Sequence, residues 1–185
     1  MSMEFKEYPD REMLALSLAD RLASQLSQHL RAHEAASLCV PGGTSPMQVF
    51  DTLSGSDLDW GRVTVFLGDE RWVDGEHKRS NSRLLRRHLL QDKAAAARYI
   101  DLYTGDPQPD DATGALAEAI APHLPITVAL LGMGVVGLST VISVKTLGEI
   151  GTGVIALPAE LKSQILSHYT FLDSFSLFFY LVLIV

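Results

Sequence analysis

Three consecutive charged residues, Asp69, Glu70 and Arg71, form the segment of the sequence that is best suited to chemistry. They follow RVTVFL (62–67), an apolar run typical of a buried strand, and should therefore lie where that strand ends. Arg71 could bind a phosphate or carboxylate through two parallel hydrogen bonds. Asp69 could orient a substrate hydroxyl, a water or a histidine. The alternative is a solvated strand end that carries a local ion pair.

The loop PGGTSP (41–46) is a second candidate, and it follows the short apolar run SLCV (37–40). Its glycines would let the backbone approach an anion closely, while Thr44 and Ser45 offer hydroxyl donors. The predicted next helix would add free N–H groups and the positive end of its dipole. Thr44 or Ser45 could cap this helix, with Pro46 at its first position. The loop matches neither the Walker pattern nor G-x-G-x-x-G, and an ordinary turn with a helix cap is the alternative.

A third glycine-rich loop begins in LLGMGVVGLSTV (130–141), after a strand predicted over ITVALLG (126–132). Loops that follow strands in α/β enzymes usually carry polar residues. This loop has no acid, base or nucleophile before Ser139.

The segment KRSNSRLLRRHLL (78–90) predicts a helix rich in arginine. Arg83 and its neighbours could bind an anion such as a phosphate. A solvated helix face is the alternative for most of these arginines.

The elements around these loops alternate between helices and strands. A long amphipathic helix capped by Asp10 precedes the first strand, and a helix over ALAEAIAPHL (115–124) follows a Pro- and Asp-rich linker (104–114). This order predicts an α/β fold with a mainly parallel sheet covered on both faces. Because ligands bind beyond the carboxyl ends of parallel strands, the three loops should converge on one crevice.

Composition narrows the classes of function. The net charge of −7, without a basic cluster, argues against a nucleic-acid partner. The single cysteine, Cys39, lies in an apolar run and suits a core position in a reducing cytosol. The N-terminus lacks the apolar segment of a signal peptide, so a cytoplasmic location is expected. The apolar tail FLDSFSLFFYLVLIV (171–185) is shorter than the ~20 residues of a membrane-spanning helix, which favours a strand or an anomalous tail.

Taken in order, PGGTSPMQVFDTL, DWGRVTVFLGDERWV and SNSRLLRRHLL closely resemble the 6-phosphogluconolactonases. That family and the glucosamine-6-phosphate deaminases share a Rossmann-like three-layer α/β/α fold, and the resemblance covers about residues 10–134. It implies hydrolysis of 6-phospho-D-glucono-1,5-lactone to 6-phosphogluconate in the oxidative pentose phosphate pathway, with no cofactor. A sugar phosphate would be the ligand, and a monomer is expected, with larger assemblies left open.

The resemblance also assigns roles to residues. Asp69 and Arg71 would match the acidic and arginine site residues of the family. The sugar phosphate would lie against the loop residues Gly43, Thr44 and Ser45. Arg83 is a further candidate for the phosphate.

The third motif departs from the family, where it reads G-M-G-x-D-G-H and the histidine is the expected general base. Here Val136 stands at the acid position and Leu138 at the histidine position. Charge falls at the same place, since residues 132–185 hold five of the 37 charged side chains. We therefore expect a family-like sugar-phosphate-binding α/β domain (1–134) and an atypical apolar C-terminal segment (135–185) that is not a separate domain. A reading-frame shift or an alternative splice would produce such a non-native, incomplete C-terminal part.

Several functions stay open at this point. The chain could be a lactonase with little or no activity, a non-catalytic sugar-phosphate-binding pseudoenzyme, or a truncated or misfolded, membrane-associated product. An amino-sugar-phosphate deaminase or isomerase is a further alternative, although the D-E-R-W block favours the lactonases. Of the other histidines, His77 should lie nearest the site, whereas His123 should lie at the opposite end of the sheet.

Overall fold

The computed structural model describes residues 8–133 and 179–184. The strands are β1 (Ala36–Val40), β2 (Val63–Leu67), β3 (Arg98–Ile100), β4 (Val128–Met133) and β5 (Phe179–Ile184). The α-helices are α1 (Arg11–Leu30), α2 (Met47–Ser54), α3 (Asn81–His88) and α4 (Pro109–Ile120). Short 3-10 helices span Trp60–Arg62, Asp92–Ala96 and Ala121–His123.

The strands form one sheet in the order β3-β2-β1-β4-β5. β1 pairs in parallel with β2 and β4, and β2 pairs in parallel with β3. The loops that follow β1 and β2 therefore leave the same edge of the sheet, as predicted. Residues 8–131 and 182–184 belong to one compact unit, which holds every residue of the site described below, while 132–133 and 179–181 are assigned to a second.

Helices cover both faces of the sheet, which gives the expected three-layer α/β/α arrangement. Cys39, Phe66 and Ala129 form a buried cluster on one face together with Ile120 of α4. The residues that alternate with them along the strands, such as Leu38, point to the other face and are fully buried. On that side α1 packs on β1 and α2, and α2 packs on α3.

The first helix forms as its sequence predicts. The Asp10 carboxylate caps α1 by accepting a hydrogen bond from the Met13 N–H at 2.8 Å. Leu18, Leu22 and Leu26 are buried along one stripe of the helix.

The structure differs from the sequence prediction at two places between α3 and β4. The strand β3 was not predicted, because its three residues are too few to display the alternation that identifies a strand. Helix α4 begins at Pro109, inside the segment expected to be a linker (104–114). Proline is favoured in the first turn of a helix, and the Asp111 carboxylate accepts the N–H of Gln108 there.

The apolar tail contributes β5, the neighbour of β4 in the sheet, which corresponds to the strand interpretation of part of that segment. None of the helices within residues 8–133 and 179–184 has the length and apolar character needed to cross a membrane.

Candidate functional site

Two of the three predicted loops meet at the carboxyl ends of β1 and β2. The Gly68 N–H donates to the carbonyl of Val40, the last residue of β1, at 2.8 Å, which extends the parallel pairing one residue beyond β2. The Gly42 N–H donates to Asp69 Oδ1 at 3.1 Å. The glycine loop 41–46 and the acidic segment therefore share one site, as predicted for these two loops. Residues 134–138 of the third lie outside the described residues.

The glycine loop needs both of its glycines, for different reasons. Gly43 has a φ of +83°, in the left-handed region that side chains other than glycine rarely adopt. Gly42 lies against Asn81, because a Cβ built on Gly42 would be 1.8 Å from Asn81 Nδ2. The sequence predicts that the glycines let the loop backbone approach a bound anion closely. In the structure, the space beside Gly42 is occupied by the side chain of Asn81.

The expected cap of the next helix was wrong. α2 begins at Met47, and Pro46 occupies the N-cap position without a side-chain hydrogen bond. The backbone carbonyl of Thr44 instead accepts the Met47 N–H at 3.4 Å, which makes a turn ahead of the helix. The Thr44 and Ser45 side chains are exposed, so their hydroxyl groups stay available to a ligand.

Asn81 is the residue that joins the two loops, and it was missing from the predicted site. Its Nδ2 donates to the backbone carbonyl and to Oδ2 of Asp69, both at 3.0 Å. Its Oδ1 accepts from the Gly43 N–H at 3.0 Å and from Arg71 Nη1 at 2.9 Å. The residue is 1% exposed. All donors and acceptors of this buried carboxamide are thus used, which also fixes its orientation.

Asp69 and Arg71 are brought together through this asparagine rather than by an ion pair. Arg71 Nη1 also donates to the Arg79 carbonyl at 3.0 Å, so one corner of the guanidinium is fixed. Within residues 8–133 and 179–184, no hydrogen bond involves Arg71 Nε or Nη2. That edge could bind a phosphate or carboxylate through two parallel hydrogen bonds.

Glu70 organises the start of α3, a role that the sequence did not suggest. Its Oε1 accepts from the N–H groups of Arg71 and Asn81, both at 2.7 Å. Its Oε2 accepts from the Ser82 N–H at 2.7 Å and from Ser80 Oγ at 3.2 Å. A carboxylate is favoured at a helix N-terminus because free N–H groups and the helix dipole attract negative charge. The N-terminus of α3 therefore already holds an anion from the protein itself.

The same end of α3 is tied to β3 and to Asp101, the residue after it, by a partly buried polar cluster. Ser82 Oγ lies 2.6 Å from the Tyr99 hydroxyl and donates to Asp101 Oδ1 at 2.8 Å. Arg86 binds Asp101 Oδ2 at 3.0 Å and lies over the Tyr99 ring. Burial raises the pKa of Tyr99 well above its usual range, so this hydroxyl stays neutral. The cluster holds α3, and with it Asn81, against the sheet.

Arg83 does not join this network. Its backbone N–H donates to the capping oxygen of Ser80 at 3.2 Å. The side chain is partly buried and forms no hydrogen bond or ion pair with the residues that the structure describes. The structure thus brings together the predicted residues Gly43, Asp69 and Arg71.

The histidines differ in their distance from the site. His77 is exposed in the loop before α3, where its Nδ1 accepts the Arg79 N–H at 3.1 Å. Burial and the charge of Arg98 lower the pKa of His123. Arg98 is the first residue of β3, so His123 lies near the amino end of the sheet, opposite the site, as expected. Leu138, at the expected position of the catalytic histidine, lies outside the described residues.

Comparisons with known proteins agree on one family. A family model described as glucosamine-6-phosphate isomerases/6-phosphogluconolactonase matches residues 9–137. The 6-phosphogluconolactonase of Pseudomonas aeruginosa is 45% identical over 125 residues, which cover 65% of this chain and 51% of that protein. The 6-phosphogluconolactonase of Pseudomonas putida is 40% identical over 133 residues, covering 72% and 55%.

Solved structures show the same relationship. A 6-phosphogluconolactonase from Shewanella baltica superposes with a TM-score of 0.67 at 35% identity, covering 69% of this chain and 55% of that one. A monomeric glucosamine-6-phosphate deaminase shares the fold at 13% identity, with a TM-score of 0.55. The chain spans about half the length of the curated relatives it matches.

Proposed function

The chain belongs to the family of glucosamine-6-phosphate isomerases and 6-phosphogluconolactonases, and from this premise we propose that it carries the sugar-phosphate-binding half of a lactonase site. The ligands are 6-phospho-D-glucono-1,5-lactone and its hydrolysis product, 6-phosphogluconate. The observation that carries the proposal is the single hydrogen-bonded network of Gly43, Asp69 and Arg71 around Asn81. The identities to the 6-phosphogluconolactonases favour the lactonase side of the family.

The two loops offer complementary groups to such a ligand. The glycine loop provides the exposed hydroxyls of Thr44 and Ser45 and leads into the N-terminal end of α2, all of which suit a phosphate. The Nε and Nη2 edge of the Arg71 guanidinium suits the oxyanion that forms when water adds to the lactone carbonyl. The exposed carboxylate of Asp69 can orient the attacking water or a sugar hydroxyl. Arg83 remains a candidate for the phosphate.

Lactone hydrolysis also needs a group that removes a proton from water, because neutral water is a poor nucleophile. A positioned general base contributes roughly 10²–10⁴-fold to the rate. The aliphatic side chain of Leu138 cannot accept a proton. We therefore infer that this chain binds the sugar phosphate and hydrolyses the lactone slowly or not at all.

Calorimetric titration with 6-phosphogluconate, paired with a lactonase assay corrected for spontaneous hydrolysis, tests both halves of the proposal. Arg71→Met should weaken binding about 10-fold or more, since it removes a charge-assisted contact. Arg87→Met, an exposed change on α3, is the matched control and should leave affinity unchanged. Absence of binding would contradict the proposed ligand, and turnover at the rate of a histidine-bearing relative would contradict the assignment of the base.

A gain-of-function variant examines the base directly. The double substitution Val136→Asp and Leu138→His should raise turnover above that of the unmodified chain, whereas Val136→Asp alone should not. Sequencing the coding region around codon 135 tests the frame-shift origin of residues 135–185. An intact frame, with no alternative frame that restores D-G-H, would rule that origin out.

We further propose that the protein acts in the cytoplasm, in the oxidative pentose phosphate pathway. We propose that it is a monomer and has no nucleic-acid partner. Ammonia release from glucosamine 6-phosphate would favour the deaminase alternative instead.

A further inference from the structure

We propose that Asn81 is a positioning residue that holds the glycine loop and the Asp69–Arg71 pair in one fixed arrangement, so that both loops can bind one ligand. The identity of that ligand rests on the function proposed above. The positioning itself rests on the contacts of a single buried carboxamide. Asn81 is also the single asparagine of the chain, which makes its side chain easy to follow.

The partners of Asn81 demand two donors on one side and two acceptor positions on the other. The two groups that accept hydrogen bonds from Asn81 Nδ2 are both oxygens of Asp69. The two groups that donate to Asn81 Oδ1 are both N–H groups, one from Gly43 and one from Arg71. Aspartate would supply the acceptors without the donors. Serine would be too short, and glutamine would be one methylene too long. Asparagine satisfies both sides at this reach.

The carboxamide cannot move away from these partners. The backbone N–H of Asn81 donates to Glu70 Oε1 at 2.7 Å, which fixes the main chain that carries the side chain. The Cα of Gly42 lies against it, with no room for a Cβ between them. The side chain is thus confined between helix α3 and the glycine loop. It therefore sets a fixed distance between the glycine loop and the Asp69–Arg71 pair.

Two consequences for the ligand follow from this spacing. The Gly43 N–H is committed to Asn81, which holds the loop backbone and leaves the exposed hydroxyls of Thr44 and Ser45 to face a ligand. The hydrogen bond from Arg71 Nη1 fixes one corner of the guanidinium and presents the Nε and Nη2 edge. Loss of the carboxamide would release both at once.

Asn81→Asp is the sharpest test, because it keeps the shape and the acceptors but replaces the two donors by an oxygen that faces the oxygens of Asp69. At pH 8 we expect 6-phosphogluconate to bind about 10- to 100-fold more weakly than to the unmodified chain. Near pH 5 this ratio should shrink, because protonation of the introduced carboxyl group restores a donor toward the oxygens of Asp69. Gln28→Glu, an exposed amide-to-acid change on α1, is the control and should show a ratio near one at both pH values.

A role in stability alone would give a different result. It would lower the melting temperature and leave the affinity ratio independent of pH. An Asn81→Asp chain that binds as tightly as the unmodified chain, or more weakly by a constant factor, would overturn the inference.

A second measurement does not depend on the ligand. Selective ¹⁵N labelling of asparagine gives one side-chain NH₂ signal, which should be strongly protected from hydrogen exchange in the unmodified chain and should lose protection in Asp69→Ala. If the unmodified chain does not bind 6-phosphogluconate, the proposed function is wrong. The exchange rate of this signal still tests the positioning role of Asn81, because it does not depend on the ligand. Exchange as fast as that of a free amide would overturn it.

Discussion

The backbone N–H of Asn81 donates to Glu70 Oε1 at 2.7 Å, so the residue that joins the two loops is itself placed by a carboxylate from one of them. Glu70 lies between Asp69 and Arg71 in the sequence. The middle residue of the acidic segment thus serves the fold, while Asp69 and Arg71, which also bind Asn81, are exposed to a ligand. This division explains how three consecutive charges can be accommodated after a buried strand.

Removal of the Glu70 carboxylate should destabilise the protein. Glu70→Gln keeps the size of the side chain but replaces one accepting oxygen by a donor, which faces the N–H groups at the start of α3. We expect the free energy of unfolding in urea to fall by about 1–3 kcal/mol, the usual cost of buried donors left without acceptors. Glu76→Gln, in the exposed loop before α3, should change it by less than about 0.5 kcal/mol. Equal stability of both variants would contradict this role of Glu70.

The two glycines of the loop should respond differently to alanine. Gly42→Ala would place a methyl group 1.8 Å from Asn81 Nδ2 and should displace the carboxamide. It should therefore weaken 6-phosphogluconate binding about 10-fold or more. Gly43→Ala meets no atom within 4 Å but forces alanine to a φ of +83°, which costs roughly 1–2 kcal/mol of stability. Calorimetry and urea unfolding of both variants separate the two effects, and a larger loss of affinity in Gly43→Ala would contradict this assignment.

The features that can be predicted here are those set by residues close together in the sequence. The strand ending at Leu67 and the acidic segment after it are local patterns, and parallel pairing then brings them beside the glycine loop. The role of Asn81 is not local, because its carboxamide contacts residues 12 and 38 positions away. One signal was present: Ser80, a favoured N-cap type, places the following residue at the start of a helix.

The wrong expectations have equally specific causes. The left-handed Gly43 turns the chain, and Pro46 takes the cap position that a hydroxyl residue was expected to fill. The three residues of β3 acquire their conformation by pairing with β2 rather than from their own pattern. The composition of residues 104–114 predicts a linker, but proline suits the first turn of a helix equally well, and Pro109 begins α4.

The end of α1 should depend on Arg62. Its guanidinium donates to the backbone carbonyl of Leu30, which the end of the helix leaves without an intrahelical partner, and to those of His33 and Glu34 in the chain that follows. Arg62→Met retains the aliphatic stem and removes the donors, so we expect the free energy of unfolding to fall by about 1–3 kcal/mol. Arg87→Met serves as control. A cost below about 0.5 kcal/mol would show that water replaces these hydrogen bonds without loss.

The single cysteine offers a test of burial at the edge of the site. Burial, with a smaller effect of the Asp69 charge, raises the pKa of the Cys39 thiol from 9.0 to about 12. Because the thiolate is the reactive form, labelling by a disulfide reagent at pH 8 should be about 10³-fold slower in the native chain than in urea. The folded pKa is the higher one, so stability from this group is complete below pH 9 and is lost as pH rises toward 12. Asp69→Asn should speed native labelling modestly, since it removes the smaller cause. Cys39→Ser must abolish labelling, and rapid reaction of the native chain would contradict the buried position.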